Sequence, residues 1–261
     1  MYPTLQIAGI ALPLRPLLFL VGAWLCLTIS ERRMPRFGLE PDLAWNLGML
    51  TGGVTLVGAR LWYALSHWSA YQSNLTGLVA TSTSTLALNE GVALGLLMGL
   101  IYVQRQRAPW SRLADAFTPG LLAAFGLASL GALLSGDAYG APTGLPWSIE
   151  LWGAQRHPSQ VYELLLALIV LGIGLRWLQR LPEGLSFLSA SALYASGRVF
   201  VEAFRGDSII VGEGIRAMQV AWLAIALVSV LALSCRQSAN AQREPTPKSV
   251  GNLVLRLPRR R

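Results

Sequence analysis

Seven apolar segments, at roughly residues 9–29, 43–65, 83–103, 115–135, 160–179, 184–204 and 216–235, leave this chain few ways to fold. Each is close to the roughly 20 residues that cross a bilayer as a helix. Lipid offers no partner to backbone N–H and C=O groups, so a crossing segment must satisfy its own hydrogen bonds, as a helix does. The expected fold class is therefore all-α: a polytopic membrane protein of about seven transmembrane helices. Composition agrees. Of the 261 residues, 53% are hydrophobic and 13% are charged, against about 25% charged in an average soluble domain. That argues against an ordinary soluble enzyme and excludes disorder, which needs low hydrophobicity and high charge.

The formal charge is +8, and all but one of the 21 basic residues are arginine. Their placement points to topology, not to nucleic acid. Arg32, Arg33 and Arg36 follow the first segment, and Arg105, Arg107 and Arg112 follow the third. Arg176 and Arg180 follow the fifth, and the tail beyond residue 235 carries seven more. All of these fall on one side of a seven-span arrangement, so the N-terminus is expected outside and the C-terminus in the cytoplasm. Residues 1–236 read as one seven-helix transmembrane domain and residues 237–261 as a basic, flexible cytoplasmic tail. The first 15 residues lack a charged n-region and a small-x-small cleavage site, so no removable signal peptide is expected. Cys26 and Cys235 stand apart from histidine and from each other, which favours small buried hydrophobes over a disulfide or a zinc site. Gly95 and Gly99 form a GxxxG spacing suited to close helix packing. The Asn74-Leu75-Thr76 sequon reads as accidental, and His67, Trp68 and Tyr71 as part of an aromatic belt.

Ionisable groups within apolar segments are costly unless paired, so they mark candidate sites. Arg60 lies late in segment two, Glu90 within segment three, Glu163 at the start of segment five, and Arg198 and Glu202 in segment six. Arg198 and Glu202 are i, i+4 neighbours on one helix face, and Arg205 extends that face. Two arginines against one glutamate leave a surplus positive charge, which suits a lipid phosphate gripped by guanidinium forks. An internal ion pair that holds helices together is the structural alternative. The block Arg156-His157-Pro158-Ser159-Gln160-Val161-Tyr162-Glu163 gathers an imidazole, a hydroxyl, an amide, a phenol and a carboxylate at a membrane boundary. Pro158 biases His157 away from helix, and Ser159 is placed to cap the next helix with Glu163 in its first turn.

That block resembles the signature of the prolipoprotein diacylglyceryl transferase family, and further elements match in order. Gly58-Ala59-Arg60-Leu61 with Tyr63 resembles the family's GxRxxY element. Asp137-Ala138-Tyr139-Gly140 resembles its E-L-W/Y-G element. Tyr194, Arg198, Glu202, Phe204 and Arg205 resemble its Y…R…E-F-x-R element, with Gln219 matching a glutamine of the last span. The resemblance covers about residues 8–235. It implies a seven-span protein of the bacterial inner membrane, with a transferase-like domain over residues 1–236. The implied reaction moves a diacylglyceryl group from phosphatidylglycerol to the lipobox cysteine thiol of a prolipoprotein, leaving glycerol-1-phosphate, with no metal and no other cofactor. The implied partners are phosphatidylglycerol or another anionic phospholipid, the prolipoprotein signal peptide and the membrane. On the same ground His157, Glu163, Glu202 and Asp137 are the candidate catalytic residues. Arg60, Arg198, Arg205, Gln160, Tyr162 and Gly140 are the candidate phospholipid-binding residues.

Several family positions differ here. Where the family has a tyrosine in an H-W-Y-G stretch, this chain has Arg15 in Pro13-Leu14-Arg15-Pro16. Where it has H-G-G, this chain has Asn89-Glu90-Gly91. Where it has G-R-x-x-N-F-x-N-G-E, the arginine becomes Ser129, the asparagines become Ala132 and Ser135, and the glutamate becomes Asp137. Arg15 and Glu90 are candidates to compensate. A paralogue acting on another acceptor, or a non-catalytic lipid-binding or assembly protein, are the alternative readings of these exchanges.

Overall fold

The computed structural model describes residues 4–7, 10–72, 86–211 and 214–243. Residues 1–137 and 138–261 form two compact units. In the first, a hairpin of β1 (Thr4–Ile7) and β2 (Ile10–Pro13) leads into α1 (Leu14–Arg33). There follow α2 (Asp42–Ser66), the one-turn α3 (Trp68–Tyr71), α4 (Leu88–Arg105) and α5 (Trp110–Ser135). In the second, the hairpin of β3 (Ile149–Leu151) and β4 (Ala154–Arg156) precedes α6 (Ser159–Arg176) and α7 (Leu185–Glu202). A two-residue ribbon of β5 (Ile210–Val211) and β6 (Ile215–Arg216) then enters α8 (Ala217–Arg243). Each of the seven apolar segments contributes a long helix; among the described residues, three short antiparallel hairpins are additions to the all-α expectation.

Four helical stretches among the described residues are long and apolar enough to cross a membrane: Leu14–Phe37, Trp110–Ser135, Ser159–Arg180 and Ala217–Ser238. The architecture is that of an all-α membrane protein, with large apolar side chains such as Phe19, Leu96, Ile169 and Leu231 on its exposed faces. The other three long helices, α2, α4 and α7, dilute their apolar residues with glycine, threonine, serine and the ionisable Arg60, Glu90, Arg198 and Glu202.

Helix ends follow local chemistry. The first helix starts at Leu14, later than the apolar run, because residues up to Pro13 pair as strands. Pro16 sits in its first turn, where a missing N–H costs nothing. Gly136, with φ +79°, ends α5 in the left-handed region that glycine enters freely. Arg33, counted in the first basic loop from sequence, is instead buried, its guanidinium 5.8 Å from the Phe37 ring centroid. The last helix runs to Arg243, past the point where the sequence places the start of the tail. The tail beyond it and the Asn74 sequon lie outside the described residues.

Small residues bring the helices of the first unit together. Gly91, Gly95 and Gly99 of α4 lie against Thr51, Thr55 and Ala59 of α2, each row repeating every four residues. A Cβ on Gly95 would come within 2.6 Å of the Thr51 carbonyl oxygen and collide with the Thr55 hydroxyl. The α1–α5 pair is made in the same way: a Cβ on Gly120 would lie 2.6 Å from the Cys26 carbonyl oxygen. Gly95→Val should therefore lower the apparent Tm of the purified protein, by an overpacking cost of roughly 1–3 kcal/mol. Gly52→Ala, where nothing lies within 4 Å of the new methyl, should leave it equal or higher.

Candidate active site

In the second unit, residues 139–143 form a strap held on both sides by backbone hydrogen bonds. On one side the Ala141 N–H donates to the Phe204 carbonyl and the Gly206 N–H to the Tyr139 carbonyl, both at 2.8 Å. On the other, the His157 N–H donates to the Ala141 carbonyl at 3.0 Å and the Thr143 N–H to the Gln155 carbonyl at 2.9 Å. Gly140 is required by proximity: a Cβ there would enter the backbone of His157. Arg156 clamps the strap, donating to the Gly140 carbonyl at 3.3 Å while its guanidinium lies 4.8 Å from the Tyr139 ring centroid.

Pro158 keeps His157 out of α6, as expected. Ser159, however, does not cap that helix. Its hydroxyl donates to the Ala138 carbonyl at 2.8 Å and so ties the helix start to the strap. Gln160 is fully buried beside it. His157 is half-buried, packed against Phe204 with ring centroids 4.9 Å apart. Its Nδ1 lies 3.4 Å from the Tyr162 hydroxyl, which accepts a 2.8 Å hydrogen bond from Trp147 Nε1. With the proton on Nδ1, that N–H donates to Tyr162 and the Nε2 lone pair is left to accept a proton.

The charged residues converge below. Arg198 Nη1 pairs with Glu163 Oε1 at 2.5 Å, and Arg205 Nη1 donates to the same oxygen at 2.9 Å. Arg198 Nη2 is 3.5 Å from Glu202 Oε2, the i, i+4 contact expected from sequence. Glu202 is nearly inaccessible; its Oε1 accepts from the Ser208 hydroxyl and its carbonyl from Arg216 Nη1 at 2.5 Å. Arg205 donates through Nε and Nη2 to both oxygens of Asp207, at 2.9 and 2.7 Å. Burial alone would lower the Arg205 pKa, but Asp207, Glu163 and Glu202 hold it well above its ordinary value. The surplus positive charge expected from sequence is thus cancelled: Glu163 and Asp207 join Glu202 against Arg198, Arg205 and Arg216. The Arg198 guanidinium lies 5.1 Å from the Trp222 ring centroid, and Gln219 ties α8 to α7 by donating to the Val199 carbonyl at 3.3 Å.

The remaining candidates lie in the first unit. Arg15 Nη1 pairs with Asp137 Oδ2 at 2.9 Å, and the Ser135 hydroxyl donates to the same oxygen at 2.7 Å. Arg15 and Ser135 are therefore both bonded to the same oxygen of Asp137. The Ser135 hydroxyl first, then Arg15, holds the Asp137 carboxyl below the usual carboxylate range against the opposing effect of burial. The Arg60 guanidinium lies 5.7 Å from the Tyr71 ring centroid; Tyr71 is buried, whereas Trp68 is exposed. His67 stacks on Tyr63 at 4.2 Å. Glu90 is exposed in the first turn of α4, where a carboxylate is favoured by the helix dipole.

The sequence matches the prolipoprotein diacylglyceryl transferase family model over residues 4–235. The chain belongs to that family. It is 29% identical over 216 residues to the phosphatidylglycerol–prolipoprotein diacylglyceryl transferase of Clostridioides difficile, covering 82% of this chain and 85% of that one. To the Nostoc sp. protein of the same name it is 27% identical over 252 residues, 89% and 87% of the two chains. To that of Gloeobacter violaceus it is 28% identical over 256 residues, 92% and 94%.

Helix periodicity joins Arg198, Glu202 and Arg205 in the sequence, but not four further hydrogen-bonded residues of the site: Trp147, Asp207, Ser208 and Arg216. Asp207 carries a local signal, because an acid two residues beyond an arginine in a glycine-containing turn can reach back to it. Trp147 and Arg216 carry no such local signal. Glu163→Ala would leave both Arg198 and Arg205 without a shared counter-ion, at a cost of roughly 3–5 kcal/mol for an uncompensated buried charge. A large drop in apparent Tm is expected, with a smaller one for Glu163→Gln, which keeps an acceptor oxygen.

Proposed function

We propose that this chain transfers the diacylglyceryl group of phosphatidylglycerol to the lipobox cysteine of prolipoproteins. The observation that carries the reading is the cluster of Arg198 and Arg205 on buried carboxylates, with the half-buried His157 packed on the adjoining Phe204 and its Nδ1 facing the Tyr162 hydroxyl, in a chain of this family. His157 takes the thiol proton, and the thiolate attacks the glyceryl carbon that bears the phosphate ester. A C–S bond forms and the C–O bond breaks, giving a thioether and glycerol-1-phosphate. Arg198 and Arg205 stabilise the charge on the departing phosphate. Glu163 and Glu202 hold those guanidinium groups, and Tyr162 holds the imidazole.

Arg60, Gln160 and Gly140 are the further lipid-binding residues in this reading. Arg15 and Asp137 act as one unit, with Arg15 supplying a guanidinium in place of the one lost at Ser129; Glu90 is a second compensating charge. The chain crosses the bacterial inner membrane seven times, N-terminus outside and C-terminus in the cytoplasm, with residues 237–261 as a basic tail. Seven long helices and the one-sided arginines support this topology.

Purified protein, phosphatidylglycerol vesicles and a lipobox peptide should yield a peptide heavier by one diacylglyceryl group, and Cys→Ser in the peptide should abolish the gain. His157→Ala should cut the rate by about 10²-fold or more, the usual worth of a positioned base. No mass gain, beside an active relative, would sink the proposal. Reporters fused at the loop between α6 and α7 and after Arg243 should both read cytoplasmic.

A further inference from the structure

Arg205 differs from Arg198 in what fills its fork. Its Nε and Nη2 are both taken by Asp207, at 2.9 and 2.7 Å, and its Nη1 by Glu163. This two-pronged grip is the one a guanidinium also offers a phosphate. A phosphodiester carries one negative charge over two non-bridging oxygens, the same charge and the same two prongs as the Asp207 carboxylate. Exchanging one for the other leaves the cluster neutral. Adding a phosphate beside Asp207 would instead place a further anion among Glu163, Glu202 and Asp207, a like-charge contact that opposes binding.

The backbone separates the two partners. Residues 204–206 are held by the strap: the Phe204 carbonyl accepts from Ala141, the Gly206 N–H donates to Tyr139, and Arg205 is bridged to Gly140. Asp207 lies just beyond the last of these bonds. Its side chain is 27% exposed, against 17% for Arg205 and 8% for Glu163. Asp207 can therefore leave the guanidinium by side-chain rotation while the strap and Glu163 keep Arg205 in place.

We propose that Asp207 is a built-in counter-ion seated where the lipid phosphate binds, and that the phosphodiester of phosphatidylglycerol displaces it. The inference rests on the reading of Arg205 as a phosphate-binding group. Asp207 acts through Arg205: it keeps the guanidinium aligned before the lipid arrives and sets lipid affinity by competition.

The test uses the full chain in phosphatidylcholine nanodiscs, titrated with phosphatidylglycerol. Asp207→Asn keeps the shape and removes the charge. It should bind phosphatidylglycerol about 5-fold tighter, the scale of a partly exposed ion pair, and lower the KM for that lipid without raising kcat. Asp207→Glu should return the affinity toward the original value. A purely structural staple predicts the reverse, because a loosened Arg205 binds phosphate less well. Unchanged or weaker binding by Asp207→Asn at an unaltered apparent Tm, or no phosphatidylglycerol binding by either protein, overturns the displacement. If Asp207→Asn binds lipid more tightly while no lipobox peptide is modified, the displacement stands and the acceptor reading falls. If peptide is modified while lipid affinity is unchanged, the acceptor reading stands and the displacement falls.

Discussion

The mutual neutralisation of Arg198 and Arg205 by Glu163 and Glu202 is the interaction on which the second unit depends. A lone guanidinium or carboxylate buried at this depth would cost several kcal/mol. Here each has a partner within hydrogen-bond reach, and Glu163 serves two arginines at once. The pairing decides the relative placement of α6 and α7, since Glu163 belongs to one and Arg198 and Glu202 to the other.

The strap of residues 139–143 adds a second constraint with a different physical basis. It is built from backbone hydrogen bonds to residues 155–157 and 204–206, so it positions His157 and Arg205 whatever their side chains do. Its closest contact admits only glycine at 140. A polar site assembled at the end of apolar helices needs such a brace, because lipid contacts hold helices together without choosing a rotation for them. In the first unit that choice is made by the matched rows of small residues on α2 and α4.

The seven long helices are legible in the sequence as apolar runs near 20 residues, and for the four that are long and apolar enough to cross a membrane lipid admits one backbone solution. The i, i+4 contact of Arg198 and Glu202 is legible for the same reason that any helix face is. Ser159 is not: a serine at a helix start suits capping, but the strap offers its hydroxyl the Ala138 carbonyl instead. The charge balance is not legible either, because Glu163 lies about 40 residues from Arg205 in sequence and no periodicity links them. The hairpins escape a sequence reading because their strands have two to four residues, too few to show alternation.

Sequence alone determined the membrane class, the helices and the family, since each follows from local hydropathy or from ordered motifs. Tertiary structure decided which charges cancel, which hydroxyl meets which carbonyl, and that Arg15 and Ser135 share the Asp137 carboxylate. Those outcomes depend on distances between residues far apart in the chain. Hydrogen bonds and contact ion pairs need their atoms within about 3–4 Å, so only the folded arrangement could set them.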